Sequence, residues 1–268
     1  MGVGGIELLG FSMSSIRRLM CYSSGAMRGI YYAGVMRALD EEGITFDDFA
    51  GISVGSTAAA WHAAGQAREV LEAWDALGIA RLSIHPFFNS EKSKNLDWLI
   101  HNVSLPHLNV EALKTSGHTL HVAVSELKAR WRWNNGIFGR SFFHFQGDFR
   151  KDELFMAIRA SCYMPFINGI FATITIAGKR YLDGGLTGRI PIDCTDLAPF
   201  DEVWLAVSSP SGLDELEAMD LTRYPGMRFI AITPSRPVPI GRTEIDLTKF
   251  HDTATLGYDD TIRAIKGL

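Results

Sequence analysis

Short apolar runs alternate with stretches of helical spacing along most of this chain. Leu19-Met20-Cys21-Tyr22 is an apolar run that ends in Ser23-Ser24-Gly25, the pattern of a buried strand entering a tight loop. From Gly29 to Glu42 the period turns helical, with Ile30, Val35, Met36 and Leu39 on one face and Gly43 as a stop. Phe46 to Ser53 predicts a second strand, and the Ala-rich segment Thr57 to Ala64, followed by Gly65, a compact helix. Val70, Leu71, Trp74 and Leu77 mark an amphipathic helix stopped by Gly78. Residues 83–118 are less regular, with short helices predicted at Asn95–Val103 and Val110–Lys114. Leu120–Val124 reads as a strand, Arg130–Asn134 and Ser141–Phe145 as a hairpin, and Asp152–Cys162 as a helix ended by Pro165. Ile170–Ile176, Val203–Val207 and Phe229–Ile232 are strand-like, and Ile245–Ile265 is partly helical. This alternation predicts one α/β domain over residues 16–268 with a mainly parallel central sheet, behind a Gly- and Ser-rich flexible tail at 1–15.

Composition narrows the partners. Hydrophobic residues make up 47% of the 268 and charged residues 21%, enough apolar material for a sizeable core. A net charge of −4 carries no nucleic-acid signature. Cys21, Cys162 and Cys194 are widely spaced and odd in number, which predicts neither a disulfide framework nor a metal site and favours a reducing, cytoplasmic compartment. No calcium loop or His/Cys cluster is visible, so neither a metal nor another cofactor is expected. Arg17 and Arg18 follow the first apolar stretch instead of preceding it, unlike a signal peptide, and no window holds eighteen apolar residues. A membrane-facing function would act from the surface through transient contact.

Three segments can carry chemistry. Gly51-Ile52-Ser53-Val54-Gly55 has the G-x-S-x-G spacing of a nucleophile elbow, where the chain folds back so sharply that any Cβ beside the serine would clash. That spacing is weak alone, but an apolar run ends at Ile52 and an Ala-rich helix follows, the strand–turn–helix setting the motif requires. Ser24-Gly25-Ala26-Met27-Arg28-Gly29 links the first strand to the first helix; its backbone N–H groups suit an oxyanion hole, and equally it is an ordinary βα turn. Asp183-Gly184-Gly185 is a common turn pair, yet it follows Tyr181-Leu182 and would place a carboxylate at a sheet edge.

Taken in order, the three resemble the patatin-like phospholipases, which carry a Gly-rich, Arg-containing loop, then G-x-S-x-G, then a distant D-G-G or D-G-A. Phe46-Asp47-Asp48-Phe49-Ala50 resembles that family's approach strand. Ala160-Ser161-Cys162-Tyr163-Met164-Pro165 resembles its Ala-Ser-x-x-x-Pro block, and Gly178 to Asp183 its G-x-x-Y-x-D-G-G block. The likeness runs from about Leu19 to Pro191, and more faintly to Gly257-Tyr258-Asp259-Asp260. It implies a three-layer α/β/α fold and a lipid acyl hydrolase working on phospholipid or other long-chain acyl esters. In that scheme Ser53 is the nucleophile, Asp183 the base, Gly51 and Gly55 shape the elbow, and Ser24, Gly25, Ala26, Arg28 and Gly29 form the oxyanion loop. Two departures stand out: Ser24-Gly25-Ala26 replaces the usual three glycines, and Arg189 stands where an Asn often precedes x-Pro. A positive φ at Ser24 or Ala26 would strain the loop.

Other readings stay open. A Ser53–Asp183–His251 triad is the runner-up, although an elbow at residue 53 leaves room for one βα unit before it, too early for an α/β-hydrolase. A catalytically weak lipid-binding or scaffold protein is the other. His62 reads as a helix residue packed or exposed, not as a base. Trp131, Trp133, Phe138, Phe142, Phe143, Phe145 and Phe149, interleaved with Arg130, Arg132, Arg140 and Arg150, read first as a hairpin with a half-buried aromatic face and second as a lipid-contact patch. Residues 83–108, with Phe87, Phe88, Trp98 and Leu105, either cover an acyl pocket or simply pack.

Overall fold

A computed structural model describes residues 16–83, 100, 104–132, 136–164 and 173–268. In chain order the elements are β1 (Arg18–Tyr22), α1 (Tyr31–Glu41), β2 (Asp48–Ile52), α2 (Val54–Ala63), α3 (Val70–Ser83), α4 (Val110–Thr115), β3 (Thr119–Arg132), β4 (Gly136–Phe145), α5 (Lys151–Ser161), β5 (Ile174–Ile176), β6 (Lys179–Asp183), β7 (Glu202–Ala206), α6 (Pro210–Glu217), β8 (Arg228–Ile232) and α7 (Leu247–Lys266).

The sheet has a parallel body and an antiparallel margin. Strands β3, β2, β1, β7 and β8 lie side by side and parallel, while β4 and β6 run antiparallel to β3 and β5 antiparallel to β6. The inner strands β1, β2 and β7 are buried on both faces because both faces are covered, whereas the edge strand β8 exposes Arg228 and Ala231. On β1, Met20 and Tyr22 join the larger core, with residues of α1, α2 and α7, while Leu19 and Cys21 join a smaller one with Ile190, Leu197 and Leu205. The side-chain period of two thus sends one strand into both layers. Three layers follow, with helices on either side of the sheet.

The register along β3 positions the site. Residues Val124, Ser125 and Glu126 pair with β4 (Ser141, Arg140, Gly139) on one edge and with β6 (Asp183, Leu182, Tyr181) on the other. That second edge is the one β2 occupies just before, its last pair being Ile52 opposite Ala123. Because β2 is parallel to β3 and β6 antiparallel, the two run toward each other along one edge and their C-terminal ends meet there.

Several elements differ from the sequence expectation. Gly78 does not stop α3, which continues to Ser83; a Cβ there would sit 2.7 Å from Leu247 Cδ2, so the glycine serves packing against α7. Leu120–Val124 and Arg130–Asn134 are not separate strands, because Thr119–Arg132 is continuous and irregular only where its pairing with β4 shifts after Leu127. Helix α2 starts at Val54, three residues before the Ala-rich stretch, since the elbow feeds straight into it. The 1–15 tail, the Asn95–Val103 helix apart from Ile100, and Pro165 lie outside the described residues.

Candidate active site

Ser53 is the hinge between β2 and α2, with φ 55° and ψ −128°. That backbone costs a non-glycine residue about 1–3 kcal/mol, so its surroundings must hold it. Three hydrogen bonds do so: Ser53 N–H donates to Ser161 Oγ at 2.8 Å, and Ser53 C=O accepts from Ser56 N–H at 2.9 Å and Ser56 Oγ at 2.6 Å. The flanking glycines answer to sterics. A Cβ on Gly51 would lie 2.1 Å from the Gly55 carbonyl oxygen, and one on Gly55 2.3 Å from that of Tyr22.

Asp183 ends β6 and meets Ser53 where the two strand ends converge. Ser53 Oγ donates to Asp183 Oδ2 at 2.8 Å, and Gly185 N–H donates to Asp183 Oδ1 at 2.7 Å. Asp183 is 5% exposed, and burial pushes its pKa up to about 6 despite the opposing hydrogen bonds from Ser53 and Gly185 and the nearby charges of Arg189 and Arg242. Its backbone is held by Tyr163 C=O, 2.9 Å from Asp183 N–H, and by Ser125 Oγ, 2.8 Å from Asp183 C=O.

The third segment is a turn followed by a short 3-10 helix, Ala26–Ile30, after β1. Ser24 N–H donates to Arg189 C=O and Arg28 N–H to Gly25 C=O, so neither amide is available to a substrate. The Gly25 and Ala26 N–H groups have no hydrogen-bond acceptor among the described residues. A Cβ on Gly25 would meet Ser208 Oγ at 2.4 Å, and one on Gly29 would meet Val54 Cγ2 at 2.2 Å, so the turn packs directly onto the elbow helix. Ala26 has φ 52°, the conformation in which the departure from glycine carries strain.

Two cavities adjoin Ser53. One is apolar and lined by Ala26, Val54, Trp61, Trp74, Leu77 and Met164 among others. The other is polar and includes Asp183, Arg28, Arg189, Ser209, Ser211 and Arg242. Ser53, Ala26 and Met164 border both.

The structure separates the remaining candidates from this centre. His251 Nε2 pairs with Asp75 Oδ2 at 3.2 Å and lines a different cavity, which corrects the Ser53–Asp183–His251 alternative: helix α7 carries His251 away from the dyad. His62 is packed against Phe46 and Phe49 and shares a hydrogen bond of 2.6 Å with Tyr22 Oη; desolvation holds its pKa down at about 3. In the aromatic hairpin, Phe145 is buried, Phe143 packs on the larger core and Phe142 on the smaller, while Arg140 bonds Ile190 C=O and pairs with Asp193 at 3.0 Å. Of the expected lid, Leu105 is fully buried, and Phe87, Phe88 and Trp98 lie outside the described residues.

Ser161 was missed as a site residue. It sits in the Ala-Ser-x-x-x-Pro block, which marked a likeness but gave no role, and its partner Ser53 is 108 positions away. Arg242 lies beyond every motif and had no sequence signal.

Comparison with known proteins bears on the family and the fold. The patatin-like phospholipase family model matches residues 20–195, a span that holds Ser53, Asp183 and the turn. The crystal structure of VipD from Legionella pneumophila superposes with a TM-score of 0.52 at 14% identity, over 94% of this chain and 67% of that one, a likeness of fold alone. The chain belongs to the patatin-like phospholipase family, a family of lipid acyl hydrolases.

Proposed function

We propose that the chain hydrolyses long-chain acyl esters through a Ser53–Asp183 dyad and a covalent acyl-enzyme. The observation that carries this reading is the 2.8 Å hydrogen bond from Ser53 Oγ to a buried carboxylate, beside two unengaged amides. Ser53 Oγ attacks the ester carbonyl carbon as its proton passes to Asp183 Oδ2. The carbonyl oxygen, now anionic, sits against the Gly25 and Ala26 N–H groups; such donors contribute about 3–4 kcal/mol each in comparable sites. Collapse breaks the carbon–oxygen bond to the alcohol, which leaves with the proton from Asp183. Water then repeats the sequence on the acyl-enzyme, giving up a proton to Asp183, and releases the fatty acid.

Burial supports the role given to Asp183, because a carboxylate with a pKa of about 6 is a stronger base than an ordinary one and is still largely ionised at pH 7. The apolar cavity at Ser53 suits an acyl chain, held by burial alone. No described helix is long and apolar enough to cross a membrane, so we assign membrane contact to a transient surface encounter. The altered loop is the one feature favouring a weak lipid binder over an enzyme. Ala26 at φ 52° costs about 1 kcal/mol yet leaves the amides free, so the loop supports catalysis.

Labelling with a fluorophosphonate at low dose tests the assignment. Wild type should be labelled and Ser53→Ala should not; equal labelling of the two would refute the nucleophile.

A further inference from the structure

The polar cavity has a charge the dyad does not use. Besides Ser53, it is lined by Asp183 and by three guanidinium groups, those of Arg28, Arg189 and Arg242. Among the described residues none of the three forms an ion pair, and Asp183 is the only carboxylate in the lining. The nearby Glu215 carboxylate accepts from the backbone N–H groups of Arg189 and Ile190 instead, at 2.7 and 2.9 Å.

Two of these arginines are tied to the oxyanion turn through their main chains. Arg189 C=O accepts from Ser24 N–H at 3.0 Å, and Arg242 C=O accepts from Met27 N–H at 3.2 Å. Their positions relative to Gly25 and Ala26 are therefore set by backbone, and neither guanidinium is committed to a carboxylate among the described residues. Both charges act on Asp183, and Arg242 Nη2 lies 4.0 Å from Met164 Sδ at the border between the two cavities.

Building on the hydrolase reading of Ser53, we propose that this cavity takes the leaving-group side of the ester, and that Arg189 and Arg242 select phospholipids with a net-negative headgroup over zwitterionic ones. With the carbonyl at the turn and the acyl chain in the apolar cavity, the alcohol portion leaves on the opposite, polar side. In a glycerophospholipid the phosphate stands only a few bonds from the scissile oxygen. Guanidinium groups bind phosphate oxygens through charge-assisted hydrogen bonds. A choline or ethanolamine ammonium would be carried into the same positive field and repelled, whereas a glycerol headgroup would not.

The test compares dihexanoyl phosphatidylglycerol with dihexanoyl phosphatidylcholine, each below its critical micelle concentration so that no charged surface recruits the enzyme. It is run at pH 8, where Asp183 is ionised. The readout is the ratio of kcat/KM for the two lipids, in which any effect common to both cancels. Wild type should favour phosphatidylglycerol about 10-fold or more. Arg189→Gln/Arg242→Gln should bring the ratio toward one, and Arg242→Gln alone, at an exposed position, should move it part of the way without endangering the fold. A wild-type ratio near one, or a ratio unchanged in both variants, would overturn the proposal. A wild type without preference whose hydrolysis is inhibited by inorganic phosphate, the inhibition disappearing in the double variant, would make this a free-anion site and overturn the headgroup assignment. Hydrolysis that survives Ser53→Ala would instead overturn the dyad reading on which the proposal rests.

Discussion

Ser161 Oγ accepts a hydrogen bond from the Ser53 N–H at 2.8 Å and donates one of its own to Ala123 C=O at 2.6 Å. One hydroxyl at the end of α5 therefore ties the strained elbow to β3, the strand against which both β2 and β6 end.

Ser161→Ala would leave the Ser53 N–H and the Ala123 C=O buried without that partner, at a cost of about 1–3 kcal/mol. We expect a lower Tm together with a fall in kcat of about 10-fold, as Ser53 relaxes from its catalytic backbone. Ser161→Thr, which keeps the hydroxyl, should recover part of both. An alanine variant with wild-type melting and turnover would show that the elbow does not depend on this bond.

Asp183 links activity to pH. Its folded pKa of about 6 lies above the 3.8 of an unperturbed aspartate, so the folded state holds the extra proton between these values. Stability from this group is full below about pH 4 and is lost as pH rises through about 6, by roughly 3 kcal/mol. Asp183→Asn removes the buried charge, so its Tm relative to wild type should rise between pH 4 and pH 7. Hydrolysis should fall by about 10²–10⁴ in the same variant. In wild type kcat/KM should climb to a plateau with an apparent pKa near 6. A variant with full activity, or a melting difference that does not change with pH, would contradict this account.

Ala26 occupies a left-handed backbone at φ 52°, which glycine adopts without penalty. Ala26→Gly should therefore melt at the same or a higher temperature, with a gain of up to about 1 kcal/mol, and keep or raise its hydrolysis rate. A loss of 10-fold or more would mean that the alanine methyl positions substrate.

His251 faces Asp75 across the α3–α7 contact and not the dyad. His251→Ala should leave ester hydrolysis within a few-fold of wild type. A loss of about 10² or more, the scale of a missing general base, would restore a histidine to the mechanism.

Local chemistry was legible in the residues themselves. The apolar run at Leu19–Tyr22 lies within β1, the helical spacing of Gly29–Glu42 corresponds to a helix over Tyr31–Glu41 entered through a 3-10 turn, and Gly43 follows its end, because side-chain period and turn residues act over a few positions. The elbow was legible for the same reason, since Gly51 and Gly55 relieve clashes within a single strand–turn–helix unit. Ordered motifs pointed to Asp183, but nothing local could bring it to Ser53, 130 positions away. That meeting depends on which strands pair with β3 and in what register, with Ile52 opposite Ala123 and Asp183 opposite Val124. The same holds for Gly78, read as a stop and used for packing on α7, and for Ser161, whose hydroxyl gains its role only when α5 docks beside the elbow. Arg189 and Arg242 reach the cavity because their carbonyls bond the turn after β1, a contact between segments more than 150 residues apart. Sequence alone determined most of the elements, though not all of their bounds, and the chemistry each could carry. Strand register and helix docking, which are long-range, decided which of those groups share a site.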